Sequence, residues 1–426
     1  MQTLIVFFIL GISIPNPFKL VRELQAHKVL YREERINDQY RSPWNWTFVG
    51  PEGGEVLWAV SHPNSNGSAL AITIGDVWRT TDGGANWELV LPDIWPQAGM
   101  MSTPATGIVV DGGEQVLITL DAGQNWTPVH NCYDFQTGTF DVIDTVIYFV
   151  DSFPLRVWQS TNSGLTWQLR GTIDSLDYAD AIAHIPGAPS WIWLVGHNSS
   201  NDSIAYILNS QDYGATWTFI DTIIASDIND FQQDPWDIWH TMICTDRGIY
   251  QATSGTGPWS LMAEPFIYGL YQPVDLEFIG NDTVLVSSVL NPGIFIGVNN
   301  FGIWFFNQVE NREVCGKMSP GGVNTFYCGS LGQGVFKSTD KGQTWSIQKN
   351  NLYAQTLISR GAASQVPDST LYFVEFGGNV YQTSDWGANW AELQDFLFYG
   401  SAIETAPTDP NFIIVSALNI AVVGKL

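Results

Sequence analysis

An eight-residue pattern that occurs six times constrains the fold of this chain more than any other feature. Each copy contains a hydroxyl residue, a spacer, Asp or Asn, a spacer, Gly, a spacer, Asn or Thr, and finally Trp. The positions of the acid or amide are Asp82, Asp121, Asn162, Asp212, Asp340 and Asp385. Adjacent copies lie about 40 to 50 residues apart, a spacing that indicates a repeat architecture.

The residue types of this pattern predict the tight turn of a β-hairpin. A carboxylate oxygen accepts hydrogen bonds from backbone N–H groups a few residues ahead, and the glycine permits a positive φ. The tryptophan then begins the return strand and buries a large apolar ring. Asn162 fills the same role through its amide oxygen. A catalytic carboxylate could not be replaced by an amide in this way. We therefore expect the six positions to be structural.

The pattern resembles the Asp-box, or BNR, repeat of sialidases, sortilin-type receptors, xyloglucan-degrading hydrolases and photosystem assembly factors. In those families the turn joins the third and fourth strands of β-propeller blades, so the resemblance implies an all-β propeller. Residues 46–54 (WTFVGPEGG) are also similar to the start of sortilin-like and xyloglucanase-like propellers. Because these relatives have unrelated activities, the resemblance indicates a fold and leaves the function open.

The strand-like segments between the copies predict the number of blades. Two weaker hairpins, at residues 248–259 and 293–306, bring the total to eight. Residues 401–426 contain three further strand signals, whereas residues 44–49 resemble an isolated fourth strand. We expect the N-terminal strand to complete the last blade and remove its exposed edges. The prediction is a single β-propeller of about nine four-stranded blades (eight to ten) over residues 43–426.

The N-terminal segments predict export. Residues 4–14 (LIVFFILGISI) form an apolar run that is too short to span a bilayer, at the position of a signal peptide. We assign residues 1–17 to an export signal and residues 18–42 to a charged linker or short helix. The chain is therefore expected to be secreted or attached to the cell surface, without a transmembrane span.

The charge and the cysteines limit the partners and cofactors. Acidic side chains number 42 and basic ones 17, so the net charge is −25, and such a surface repels nucleic acid and anionic membranes. The four cysteines and six histidines show no metal-ligand spacing, and we expect no cofactor and no metal. Cys315 and Cys328 flank a glycine-rich turn and are candidates for a disulfide bond between neighbouring strands.

Loops that join the fourth strand of one blade to the first strand of the next are expected to lie on one face. These loops combine aromatic and acidic residues, which suit the faces and hydroxyls of a sugar or an extended peptide. The candidate ligand-binding residues are Trp95, Tyr133, Tyr178, Trp236, Tyr271, Tyr353 and Tyr399. The alternative role of each ring is packing between blades.

Two enzymatic alternatives follow from the resemblance. Related sialidases use three arginines, but only six arginines follow residue 43 and the arginine-bearing entry motif of the family does not occur. A xyloglucanase-like hydrolase needs two carboxylates. Asp76 lies near the position of the base in that family, but the double glycine that accompanies the base there is missing in this sequence. We therefore expect an extracellular glycan- or protein-binding propeller; the alternatives are a glycoside hydrolase and a structural component of the cell surface.

Overall fold

A computed structural model describes residues 52–65, 67–112, 114–138, 145–152, 154–185, 187–254, 257–263, 272–288, 293–312, 317–330, 332–354, 358–363, 370–375, 379–385, 389–395, 400–406, 409–417 and 420–425. The predicted export signal, the linker, the strand at residues 44–49, Tyr271, Tyr399 and Cys315 lie outside these ranges and stay predictions. Within the ranges, no helix has the length and apolar character needed to cross a membrane.

The described residues form nine antiparallel sheets, numbered here in chain order. Sheet 1 contains β1 Val56–Ser61, β2 Ala69–Thr73, β3 Val77–Thr80 and β4 Glu88–Leu91. Sheet 2 contains β5 Pro96–Met101, β6 Gly107–Asp111, β7 Gln115–Thr119 and β8 Thr127–Asn131. Sheet 3 contains β9 Phe135–Gly138, β10 Ile147–Asp151, β11 Leu155–Ser160 and β12 Gln168–Ile173. Sheet 4 contains β13 Tyr178–Ile185, β14 Ala188–Asn198, β15 Asn201–Ser210 and β16 Thr218–Ile224.

The remaining five sheets follow the same plan. Sheet 5 contains β17 Ile228–Gln233, β18 Thr241–Thr245, β19 Gly248–Ala252 and β20 Ser260–Ala263. Sheet 6 contains β21 Pro273–Gly280, β22 Thr283–Ser288, β23 Gly293–Asn300 and β24 Ile303–Glu310. Sheet 7 contains β25 Met318–Pro320, β26 Phe326–Gly329, β27 Val335–Ser338 and β28 Ser346–Gln348. Sheet 8 contains β29 Ile358–Ala363, β30 Leu371–Glu375, β31 Asn379–Thr383 and β32 Ala391–Asp395; sheet 9 contains β33 Gly400–Ala406, β34 Asp409–Ala417 and β35 Ile420–Lys425.

Each sheet is a simple meander in which consecutive strands pair. Sheet 1 shows how burial differs between inner and outer strands. All five residues of β2 are buried, as expected for a strand covered on both faces. The fourth strand β4 is partly or fully exposed along its whole length. The apolar core therefore lies between the first three strands of neighbouring sheets, and the fourth strands form the outer surface.

The repeated pattern closes the turn between the third and fourth strands. In the first copy, the Thr80 hydroxyl donates to Asp82 Oδ1 at 2.8 Å and accepts the Gly84 N–H at 2.9 Å. Asp82 Oδ1 also accepts the Asn86 N–H at 2.9 Å. In the second copy, hydrogen bonds led by those from Asn125 lower the pKa of Asp121 to about 2. These carboxylates stay ionised and serve the turn.

In the five copies whose glycine the structure describes, this glycine lies against the preceding sheet. A Cβ atom on Gly164 of sheet 3 would meet Ile108 of sheet 2 at 2.3 Å, and one on Gly342 of sheet 7 would meet Leu285 of sheet 6 at 2.4 Å. In sheet 1 the preceding sheet is sheet 7, because a Cβ on Gly84 would meet the Cβ of Gln348 at 3.0 Å. The turn thus joins two strands and also packs one sheet on another.

The first strands of the first seven sheets contact each other in a cycle. Each of β1, β5, β9, β13, β17, β21 and β25 packs against the next, and β25 and β26 pack against β1. At this junction the Ser61 N–H donates to Ser319 Oγ at 3.0 Å, and the Ser319 hydroxyl donates to the Ser61 carbonyl. Sheets 8 and 9 pack on each other through β29, β30 and β33.

This contact order differs from the predicted ring of about nine blades, although nine sheets are described. Among the described residues, sheet 7 lies beside sheet 1, where the prediction placed the C-terminal sheet. The cause is a close backbone approach, in which Val56 N–H donates to the Ser330 carbonyl at 2.9 Å and Gly53 N–H to the Leu352 carbonyl at 2.8 Å. The expected fourth strand of sheet 9, residues 44–49, stays a prediction.

Gly329 provides a test of this junction. A Cβ there would lie 2.1 Å from the Val56 carbonyl oxygen, a backbone atom that cannot rotate away. We expect Gly329→Ala to lower the free energy of unfolding by at least about 1–3 kcal/mol, measured by chemical denaturation. Gly280→Ala is the control, because its nearest neighbours lie at 3.8 Å. Equal stability of the two variants would contradict a tight contact between sheets 1 and 7.

Candidate functional site

The predicted loop face is built by the turns that lead into each first strand and by the turns between second and third strands. In a meander these two sets of turns lie at the same end of the sheets. Trp95, Tyr133 and Tyr178 lie in or beside the turns before β5, β9 and β13, and Tyr353 follows β28. Trp236 lies between β17 and β18, so it belongs to the opposite face and its predicted placement was wrong.

Most acidic residues on this face hold their own loops. Asp111 Oδ1 accepts the Trp95 N–H at 2.6 Å, and Asp76 Oδ1 accepts the Asp93 N–H at 3.2 Å. Asp246 Oδ1 accepts the Ser226 N–H at 2.9 Å. These carboxylates satisfy backbone donors that a loop leaves without strand partners. The acidic residues of these loops therefore serve mainly to stabilise the loops themselves.

Asp151 is the most heavily bonded of these acids. Its buried carboxylate accepts the Tyr133 N–H at 3.0 Å and the Trp158 indole N–H at 3.0 Å. It also binds Arg156 through both oxygens, at 2.9 and 2.5 Å. The Arg156 guanidinium lies 5.0 Å from the centre of the Tyr133 ring, within cation–π range. This network fixes the position of Tyr133 from below.

The predicted aromatic residues differ in exposure. Tyr133 and Tyr178, on the neighbouring sheets 3 and 4, are 67% and 51% exposed. Tyr353 is partly buried and packs edge-to-face on Trp78 at 6.4 Å, while Trp95 is also partly buried. Of the four described candidates on this face, Tyr133 and Tyr178 on neighbouring sheets are therefore exposed, and Tyr353 and Trp95 are partly buried.

A row of β-bulges on the first strands was not predicted from the sequence. The register shifts by one residue at Gln97 in β5, Gln136 in β9, Asp180 in β13 and Asn229 in β17. All four side chains are polar and partly exposed. Bulges redirect side chains and occur beside functional sites. A polar residue two or three positions into each of these four strands is the sequence signal of this row.

A lysine between two buried carboxylates links sheets 5, 6 and 7. Lys317 Nζ lies 2.8 Å from Asp230 Oδ1 and 4.0 Å from Asp275 Oδ1. The second oxygen of Asp230 accepts the Leu276 N–H at 3.2 Å, and that of Asp275 accepts the Met318 N–H at 2.7 Å. Each carboxylate thus bonds the first strand of the following sheet, so both are structural.

Asp180 and His197 form an ion pair at the edge of the bulge row. Asp180 Oδ2 lies 2.7 Å from His197 Nδ1, and the Ala225 carbonyl lies 2.9 Å from Nε2. Burial alone would lower the pKa of His197, but Asp180, the Ala225 carbonyl and the charge of Asp227 together raise it. Because both ring nitrogens face acceptors, the doubly protonated imidazolium is the form that satisfies the site.

Comparison with known proteins places the fold. The sequence matches no protein-family model and no curated protein. The structure is similar to a GH74 enzyme from Niastella koreensis, with a TM-score of 0.56 and 14% identity over 88% of this chain and 73% of that one. It is also similar to an ancestral GH74 enzyme, with a TM-score of 0.60 and 13% identity over 89% of this chain and 60% of that one. These are β-propeller-type folds, and at this identity the likeness shows the fold alone.

The Asp180–His197 pair predicts a pH dependence. Since the folded-state pKa of His197 is raised above 6.5, the pair stabilises the folded protein fully below that pH. This contribution is lost as the pH rises through the folded-state pKa. We expect the NMR titration midpoint of His197 to exceed 6.5 and to fall in Asp180→Asn. His62, whose pKa is lowered by burial, is the internal control. A midpoint that does not change in Asp180→Asn would contradict the pair.

Proposed function

We propose that this chain is an exported β-propeller of the Asp-box type that binds an extended extracellular glycan or protein segment across its loop face. The observation that carries the proposal is the row of bulged polar residues Gln97, Gln136 and Asp180 on three consecutive first strands. Amide and carboxylate groups in such a row suit a chain with regularly spaced hydroxyl or peptide groups.

The exposed tyrosines support the same ligand class. Tyr133 lies directly before β9 and Tyr178 begins β13, so each belongs to a sheet that also carries a bulged residue. An exposed phenol ring stacks on the C–H face of a sugar or on an apolar side chain, and its hydroxyl bonds a polar group. The arginine beneath Tyr133 keeps this ring in place before a ligand arrives, which lowers the entropy lost on binding.

The charge of the protein limits the class of ligand that it can bind. With a net charge of −25, the protein repels anionic ligands at long range and attracts basic ones, and it leaves neutral ligands unaffected. We therefore favour neutral polysaccharides and basic or uncharged peptides. The five aspartates and Asn162 of the repeated turns are excluded from the site, because they serve their own hairpins on the opposite face.

The test is binding of the secreted protein to glycan and peptide arrays, followed by titration of the positive probe. We expect Tyr133→Ala and Tyr178→Ala each to weaken binding by about tenfold, which corresponds to about 1.4 kcal/mol of lost stacking. Phe219→Ala is the matched control, because this ring is 57% exposed on the outer strand β16. A folded protein that binds no probe would favour the structural role at the cell surface instead.

A glycoside hydrolase is the second candidate, and one observation favours it. Burial raises the pKa of Asp76, and the charge of Asp93 adds to this, although the Asp93 N–H opposes it. A carboxyl group with a raised pKa suits the general acid of a hydrolase, whereas Asp76 was predicted as the base.

The hydrolase is tested by release of reducing ends from a soluble β-glucan. For a binding protein we expect none from either the wild type or Asp76→Asn. If the wild type releases reducing ends and Asp76→Asn does not, the protein is a hydrolase and the binding proposal is wrong.

A further inference from the structure

We propose a second ligand site on the opposite face of the protein, which takes an uncharged pyranose ring. The site is a pocket of about 370 Å³ between sheets 5 and 6, at the end where first and second strands and third and fourth strands are joined. This volume lies within the range of small-molecule sites, about 300–1,000 Å³. The proposal goes beyond the function assigned to the loop face and uses none of its residues.

The pocket is formed by three turns and by Gln251 and Thr253 at the end of β19. Residues 234–240, between β17 and β18, supply Asp234, Trp236, Asp237 and His240. The turn after β21 supplies Asn281 and Asp282, and the hairpin of β23 and β24 supplies Asn299 and Trp304.

The turn at residues 234–240 is held rigid by its own hydrogen bonds. Asp234 Oδ1 accepts the N–H groups of Trp236 and Asp237, at 2.8 and 3.2 Å. Gln233 donates through its side-chain amide to the carbonyls of Asp237 and His240, at 3.2 and 2.8 Å. The exposed ring of Trp236 is thus presented by a pre-formed loop, which reduces the entropy lost when a ligand binds.

His240 supplies an acceptor that the protein leaves unused. Its Nδ1 atom lies 3.0 Å from Asp234 Oδ2, so Nδ1 carries the proton and donates to this buried carboxylate. In this tautomer the lone pair lies on Nε2, a buried atom of a residue that lines the pocket. His240 is 8% exposed, and its Nε2 has no hydrogen-bond partner among the described residues. Because a buried unpaired acceptor is costly, this atom favours a ligand that donates a hydroxyl.

Aromatic rings line two sides of the pocket. Trp304 is buried, and its ring lies nearly parallel to that of His240 at a centroid distance of 6.2 Å. Trp236 is 53% exposed and offers a free indole face. A pyranose ring presents apolar C–H groups to such a face and hydroxyls at its edge.

The polar groups of the pocket set the charge of the ligand. Carboxylates come from Asp234, Asp237 and Asp282, and no lysine or arginine is among the lining residues of the pocket. An anionic sugar would be repelled, since no cation is present to pair with its carboxylate. A neutral pyranose donates a hydroxyl to His240 Nε2 and to the exposed Asp282, and accepts from the amides of Asn281 and Asn299.

The test is saturation-transfer NMR on the full chain with methyl β-glucopyranoside, methyl β-galactopyranoside, a β-glucan tetrasaccharide and sodium glucuronate. We expect transfer to the C–H protons of at least one neutral glycoside and none to glucuronate. Binding of the methyl glycosides would indicate a site for a single ring, whereas binding of the tetrasaccharide alone would indicate an internal unit of a glycan. Both outcomes support the site.

Variants separate this site from packing effects and from the loop face. Trp236→Ala and His240→Phe are each expected to weaken binding at least about tenfold, because they remove the stacking face and the acceptor. Trp239→Ala is the matched control, since this ring is 46% exposed on the same turn but packs against Trp191 outside the pocket. Tyr178→Ala should leave the signal unchanged.

Two results would overturn the proposal. One is the absence of transfer to every neutral probe by a folded wild-type protein. The other is binding that persists unchanged in both Trp236→Ala and His240→Phe. Neither result affects the loop face, whose own test depends on Tyr133 and Tyr178.

Discussion

Close contact between one sheet and the glycine turn of the next is the constraint on which the structure depends. Gly164 and Gly342 leave no space for a Cβ atom against the side chains of the preceding sheets. Two other copies of the turn accept hydrogen bonds from cationic side chains of the preceding sheet. Arg79 donates to the Asp121 carbonyl, and Lys337 donates to the Gly83 carbonyl. Because each turn both closes a hairpin and packs on its neighbour, the repeat fixes the spacing between sheets as well as the sheets themselves.

Buried polar residues on the first strands complete this arrangement. Asp230, Asp275 and the Ser61–Ser319 pair each bond a neighbouring first strand, where an unpaired backbone N–H would be costly. The same strands carry the bulged residues of the proposed loop-face site. Structure and binding therefore divide the polar residues of one set of strands. The fully buried members hold neighbouring sheets together, and three partly exposed ones, Gln97, Gln136 and Asp180, are those that the proposed function assigns to the ligand.

The sequence predicted the local elements well, and the placement of single residues less well. The repeated pattern correctly marked hairpin turns, and the eight hairpins between third and fourth strands in the described residues match the six copies and the two weaker units. The errors have a physical cause. The strand β17 contains Asn229, Asp230 and two glutamines, so it reads as a loop, and Trp236 was consequently assigned to the wrong face. Its polar side chains are tolerated because neighbouring sheets and the following turn accept or donate hydrogen bonds to them.

By itself, the sequence determined the all-β class, the hairpin turns and the structural role of the six repeated Asp and Asn residues, because these depend on residues within one turn of each other. Tertiary structure alone decided that sheet 7 lies beside sheet 1, since this contact joins Val56 to Ser330 and Gly53 to Leu352. It also decided the pairing of Asp180 with His197 and the position of His240 beside Trp304. Such contacts depend on the distance between sheets, and a pattern read along the chain contains no information about that distance.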